Sequence, residues 1–213
     1  MWIKICGMTS EQAVAAAVGA GVDAIGFVFA PSVRQLEPAR AAELAVPARG
    51  RVRCVAVTLH PTQELLERIL REFDPDVLQI DLEDLVRLRL PSSLSVLPVL
   101  RAGATTPDTS PSGAWPRALP QRLLFEGLRS GTGLATDWGQ AAVLATCTQL
   151  VLAGGLSALN VAAAIAAVRP FGVDVSSGVE AAPGHKDPRR IVEFVQVARA
   201  AFAGVEHEHR NRI

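Results

Sequence analysis

Short apolar runs rich in β-branched residues alternate along this chain with Ala- and Leu-rich amphipathic stretches. That alternation restricts the fold more than any other feature. The runs cover 2–6, 23–29, 51–58, 76–81, 95–101, 122–126, 149–153 and 171–176, each close to the usual length of a strand. The stretches between them open with helix-start chemistry. Thr9-Ser10-Glu11-Gln12 has the spacing of a capping box with its cap at Thr9, and Glu37-Pro38 puts Pro in a first turn. Asp137, Ser157 and Asp187 stand where N-caps belong, the last followed by Pro188. Repeated strand–helix alternation means parallel strands joined by crossovers. About eight such units in 213 residues fit a closed (β/α)8 TIM barrel at the short end of its size range better than an open sheet. The expected organisation is one α/β domain over 1–205 with a fraying polar tail at 206–213. The fifth crossover is the exception: residues 102–118 are rich in Thr, Ser, Gly and Pro and predict an irregular loop.

Composition removes several classes of function. Apolar residues make up 49% and charged residues 20%, enough apolar material for a large core. Lys plus Arg and Asp plus Glu are 21 each, so the basic surplus of a general nucleic-acid binder is missing. No apolar run is long enough for a bilayer, and no targeting segment is visible at the N-terminus. Cys6, Cys54 and Cys147 are too widely spaced for a disulfide framework or a zinc site. They fit free thiols in a cytoplasmic protein, with Cys54 and Cys147 as packing residues. His207-Glu208-His209 lies in the expected tail, and His60 and His185 lack ligand-type companions along the sequence, so no metal site is expected. Neither a dinucleotide fingerprint nor a P-loop is present.

A barrel of this kind carries its chemistry at the C-terminal ends of its strands. Side chains alternate along a strand, so Trp2, Lys4 and Cys6 share a face, as do Leu124 and Glu126, and Gly172, Asp174 and Ser176. Cys6, Glu126 and Asp174 therefore end their strands pointing inward. Gly154-Gly155 follows the seventh run and Ser176-Ser177 the eighth, the two places where barrels commonly bind phosphate through backbone amides. Cys6 on spacing alone reads better as a small buried hydrophobe than as a base. Glu126, at an apolar mouth, is a candidate acid. Arg34, in the loop after the second run, could hold an anionic group, and Asp174 could hold a sugar hydroxyl or support its loop.

Several motifs resemble those of the phosphoribosylanthranilate isomerases. They are Lys4-Ile5-Cys6-Gly7-Met8-Thr9, Gly26-Phe27-Val28-Phe29, Leu152-Ala153-Gly154-Gly155-Leu156, Gly172 through Glu180, and Pro183-Gly184-His185-Lys186-Asp187. They occur in order over nearly the whole chain. The resemblance implies a (β/α)8 barrel that carries out an Amadori rearrangement in tryptophan biosynthesis. The substrate would be N-(5-phosphoribosyl)anthranilate and the product 1-(2-carboxyphenylamino)-1-deoxyribulose 5-phosphate, with no cofactor. It implies Cys6 as general base, Glu126 as general acid, and Arg34 and Asp174 as substrate contacts. Gly154, Gly155, Ser176 and Ser177 would form the phosphate cradle. The partner would be a small phosphorylated aminosugar, with no nucleic acid or membrane, and the state a monomer or homodimer.

The chain departs from the family pattern in three places. Glu126 stands where the family has Asp, Val33 where a Pro is common, and Asp81 where a His is common. Gly127 gives the backbone after Glu126 freedom to absorb the longer side chain. Asp81 should point into the barrel and pair with Arg101 at the end of the fifth strand. The related histidine-pathway isomerases use Asp at the ends of strands 1 and 5, where this chain has Cys6 and Arg101. The alternative from another class is a catalytically weakened barrel kept as a phosphate-binding protein.

Overall fold

A computed structural model describes residues 1–102, 119–127 and 136–210. Eight parallel strands close into a barrel in sequence order, β1 to β8. They are β1 (Ile3–Cys6), β2 (Ala24–Val28), β3 (Arg53–Val57), β4 (Val77–Asp81), β5 (Ser95–Arg101), β6 (Arg122–Glu126), β7 (Gln149–Leu152) and β8 (Gly172–Val175). Closure is made by β1 against β8, where Lys4 lies beside Asp174. The single-domain barrel expected from the alternation is therefore the fold, and each apolar run forms one strand.

The described helices are α1 (Glu11–Ala20), α2 (Pro38–Ala45), α3 (Gln63–Glu72), α4 (Trp138–Ala145), α5 (Val161–Val168) and α6 (Pro188–Arg210). They cover the outside of the barrel and bury a stripe each. In α5 that stripe is Val161, Ala164, Ile165 and Val168, the spacing of one helix face. These side chains meet the outward residues of the strands, such as Ile3, Ile5, Leu123 and Phe125, in one continuous core. A second, smaller apolar cluster lies inside the barrel, formed by Leu97, Val99, Leu124, Val151 and Ala153 with Trp2, Val77 and Phe171 against it. Its members alternate with the outer set along each strand. The same parity carries upward to Lys4, Cys6, Gln79, Asp81, Arg101, Glu126 and Asp174. Apolar groups thus fill the bottom of the barrel and polar groups its mouth.

Several local expectations need correction. The cap of α1 is Ser10, whose hydroxyl accepts from the Ala13 amide. Thr9 instead donates to the Gly184 carbonyl at 2.7 Å. Asn160, not Ser157, precedes α5, because Ser157 is held one turn earlier by its own amide donating to Asn160 Oδ1. Asp137 caps α4 as expected, and the Asp187 carboxylate accepts from the Arg189 amide at the start of α6. The fourth crossover is a 3-10 turn, Leu82–Val86, since few residues separate β4 from β5. The last helix continues through Arg210, so most of the segment expected to fray is helical. Cys147 is exposed in the turn before β7, whereas Cys6 and Cys54 are buried; Cys147 lies past the last buried turn of α4 and packs against nothing central. The irregular loop expected at 102–118 lies, apart from residue 102, outside the described residues. Among the described residues no helix is long and apolar enough to cross a membrane.

Candidate active site

A cavity of about 470 Å³ opens at the C-terminal end of the barrel, within the size range of small-molecule sites. Its walls include Cys6, Arg34, Glu126, Gly154, Gly155, Asp174, Ser176 and Ser177, all eight of the site residues expected from sequence.

Cys6 ends β1 almost fully buried. Gly26 of β2 leaves it room: a Cβ there would stand 3.0 Å from both Cys6 Sγ and Lys4 Cε. Burial pushes the thiol above its ordinary pKa, while the positive charges of Lys4 and Lys186 pull against that rise. Lys4 is completely buried and donates to Asp174 Oδ1 at 2.9 Å. Burial works against its charge, but the carboxylate of Asp174 and the thiolate of Cys6 outweigh it and hold its pKa above the usual lysine value. Asp174 therefore serves first as the counter-ion of a buried lysine.

Two loops meet beside Cys6. Gly154 and Gly155 turn the chain after β7 in left-handed conformations, with φ of 93° and 67°. After β8, Ser176 leads into the 3-10 turn Ser177–Val179. Gly178 lets the second loop seat on the first, since a Cβ there would fall 1.9 Å from the Leu156 carbonyl oxygen. The amides of Gly154, Gly155, Ser176 and Ser177 bond no carbonyl or side chain among the described residues. Four residues with unspent N–H groups around one cavity suit an anion. The Ser176 hydroxyl is already committed. It donates to the Cys6 carbonyl at 3.0 Å and accepts from Lys186 Nζ at 3.2 Å. What Ser176 offers the cavity is its backbone.

Arg34 lines the cavity but is held from behind. Its Nε and Nη2 donate to the two carboxylate oxygens of Glu180 at 2.6 and 2.8 Å, a bidentate pairing. Lys186 donates to the same carboxylate at 2.7 Å. Burial alone would raise the Glu180 pKa, but bonds from Arg34 and Lys186 bring it down to about 2. Across the mouth, Arg101 donates through Nε to Asp81 at 2.7 Å and through Nη1 to Glu126 at 3.0 Å. The Asp81–Arg101 pair expected from sequence is present.

A model of the family described as N-(5'-phosphoribosyl)anthranilate (PRA) isomerase matches residues 3–197. An N-(5'-phosphoribosyl)anthranilate isomerase from Chelativorans sp. is 40% identical over 210 residues, covering 93% of this chain and 96% of that protein. The crystal structure of the phosphoribosyl anthranilate isomerase from Thermus thermophilus superposes with a TM-score of 0.77 at 28% identity, over 94% of this chain and 99% of that one. Another, in complex with reduced 1-(o-carboxyphenylamino)-1-deoxyribulose 5-phosphate, matches with a TM-score of 0.72 at 28% identity, over the same shares. The chain belongs to the PRA isomerase family. It is an isomerase of tryptophan biosynthesis.

Within this PRA isomerase barrel, sequence reasoning missed three residues of the site. Glu180 and Lys186 stand out in the sequence only as members of a motif, yet they anchor Arg34 and Ser176 from the β-hairpin formed by β9 (Glu180–Ala182) and β10 (His185–Lys186). Gln79 lines the cavity with its side-chain oxygen buried and unbonded among the described residues. Their signal was polarity inside otherwise apolar or strand-terminal positions. His60 needs a correction. It has companions, because its Nδ1 lies 3.1 Å from Asp84, and Asp81 is close enough to complete a group of metal-ligand type. Arg101 and Arg87 already neutralise those carboxylates, so the cluster is an ion network at the rim.

Proposed function

We propose that Cys6 is the general base and Glu126 the general acid of the isomerisation, with the substrate phosphate bound by the amides of Gly154, Gly155, Ser176 and Ser177. The observation that carries this is convergence. Cys6, Glu126 and the four residues with unspent amides all line one cavity. Glu126, protonated, gives its proton to the furanose ring oxygen. The C1–O bond breaks, and the nitrogen lone pair forms C1=N. The Cys6 thiolate takes the proton from C2, and the electron pair forms C1=C2 while the C=N pair returns to nitrogen. Tautomerisation then places a proton on C1 and leaves a ketone at C2, so the sequence is a net isomerisation. Burial raises the Cys6 pKa overall, and Lys4 and Lys186 offset part of that rise, in the direction of the thiolate that this step needs.

Arg34 fits the role of holding the anthranilate carboxylate. The bidentate grip of Glu180 fixes its plane, and Nη1 has no partner among the described residues. Asp174 lines the same wall and is placed to meet a sugar hydroxyl while it balances Lys4. A small phosphorylated aminosugar is the expected partner, and no group in the scheme calls for a cofactor. A cytoplasmic setting fits the free thiols.

The test is turnover of freshly generated phosphoribosylanthranilate, followed by loss of its fluorescence, for wild type, Cys6→Ser and Glu126→Gln. Both variants should lose about 10²-fold or more in kcat. Wild-type turnover with an unaffected Glu126→Gln would move the acid elsewhere. Inert wild type that still binds product would favour the phosphate-binding protein.

A further inference from the structure

We propose that the side-chain amide of Gln79 is a substrate contact that takes the hydroxyls of the pentose. This rests on the placement of the phosphorylated aminosugar in the barrel mouth given above. Gln79 lies on the inward face of β4, two residues before Asp81, and lines the cavity. It is 5% exposed. Its Oε1 is buried without a hydrogen-bond partner, and its Nε2 makes no hydrogen bond among the described residues. Both ends of the amide are therefore unspent.

The strand register explains why the protein itself offers no partner. Gln79 stands between Val57 of β3 and Leu97 of β5, and both are apolar. The buried Thr58 hydroxyl is committed to the Gln79 backbone carbonyl, at 3.1 Å, and the Thr58 amide donates to the same carbonyl at 3.0 Å. The backbone of Gln79 is thus satisfied and its side chain is not. Leaving a buried amide unbonded destabilises a fold, and a methionine of about the same length would fill the position without that cost. A polar group that weakens the empty barrel while lining its cavity belongs to what enters the cavity.

The chemistry of the amide selects the group it meets. It offers one acceptor and two donors, and no charge. A phosphate or carboxylate would use only the donors and leave Oε1 unpaired. An aromatic amine would use only the acceptor. Neighbouring hydroxyls, one donating to Oε1 and one accepting from Nε2, use both. With no bond to break at either end, the amide can turn about its terminal torsion to present both atoms to them. The position agrees. β4 is four strands from β8 in either direction round the barrel, so Gln79 stands on the wall opposite Ser176 and Ser177. A ligand whose phosphate is held by those amides extends its pentose across the mouth towards β4.

The experiment compares wild type with Gln79→Met in thermal melts without ligand and in calorimetric titrations. The ligands are reduced 1-(o-carboxyphenylamino)-1-deoxyribulose 5-phosphate, ribitol 5-phosphate, anthranilate and inorganic phosphate. Without ligand, Gln79→Met should melt about 2–4 °C above wild type. Its affinity for the two pentose ligands should fall about tenfold, while affinity for anthranilate and phosphate, which carry no alcohol, should hold. If methionine crowds its neighbours and the variant does not fold, Gln79→Leu is read by the same criteria. A residue with a merely structural role would lower the melting temperature and weaken all four ligands together, and that result overturns the proposal. Weakened anthranilate binding with ribitol 5-phosphate unchanged also overturns it. If wild type turns over phosphoribosylanthranilate and Gln79→Met binds both pentose ligands equally well, the isomerase reading stands and only this contact falls. Wild type that binds none of the four ligands overturns both.

Discussion

Replacing Gly178 by Ala should damage the anion cradle without unfolding the barrel. The added Cβ would lie 1.9 Å from the Leu156 carbonyl oxygen, 2.9 Å from its carbon and 3.0 Å from Ser157 Cα. All three are backbone atoms, so no side chain can swing aside. An ordinary contact needs about 3.4 Å, so the loops after β7 and β8 must part by about 1.5 Å. That moves the amides of Gly154 and Gly155 away from those of Ser176 and Ser177. A misplacement of about 1 Å typically costs on the order of 10²-fold in rate. We expect kcat/KM to fall about 10²-fold or more and competitive inhibition by inorganic phosphate to weaken at least about tenfold. The two would be read by steady-state kinetics on variants whose far-UV circular dichroism matches wild type. Gly19→Ala is the control. Its Cβ would meet nothing within 4 Å, and it lies inside α1, so it should leave kinetics alone and add about 0.5–1 kcal/mol of stability. A Gly178→Ala enzyme with unchanged kcat/KM and phosphate inhibition would refute the cradle.

Two further outcomes follow from the buried charges. Lys4→Met removes the partner of Asp174 inside the barrel and should cost about 3–5 kcal/mol in urea unfolding, with part of the loss regained by adding Asp174→Asn. Glu180, held at about 2 against an ordinary value of 4.5, contributes stability that is present above pH 4.5 and lost as pH falls towards 2. Wild type should shed up to about 3 kcal/mol over that window, whereas Glu180→Gln, already destabilised, should show a flatter acid limb in denaturant melts at stepped pH.

The strands were legible because each is a dense apolar run, and a parallel strand buried on both sides has nothing else to be. Alternation gives the inward face, and that face carries Cys6, Glu126, Asp174 and the Asp81–Arg101 pair. Gly154-Gly155 and Ser176-Ser177 could be assigned to an anion because their position in the barrel, and not their composition, is informative. What stayed hidden depends on contacts between distant segments. Arg34 meets Glu180 across 146 positions, and no periodicity announces a partner so far along the chain. Thr9 fails to cap α1 because Gly184 claims its hydroxyl. His60 gains Asp84 only because a 3-10 turn replaces the fourth helix. Local chemistry fixes the elements and their faces, while the ion network that holds the site is a property of the closed barrel.

The most direct test of the acid, base and cradle together is a crystal structure with reduced 1-(o-carboxyphenylamino)-1-deoxyribulose 5-phosphate bound. The account predicts the phosphate within hydrogen-bond distance of the Gly154, Gly155, Ser176 and Ser177 amides, C2 against Cys6 Sγ, and the Glu126 carboxyl beside the oxygen that leaves C1. A phosphate bound elsewhere, or a C2 atom beyond reach of Cys6, would contradict it.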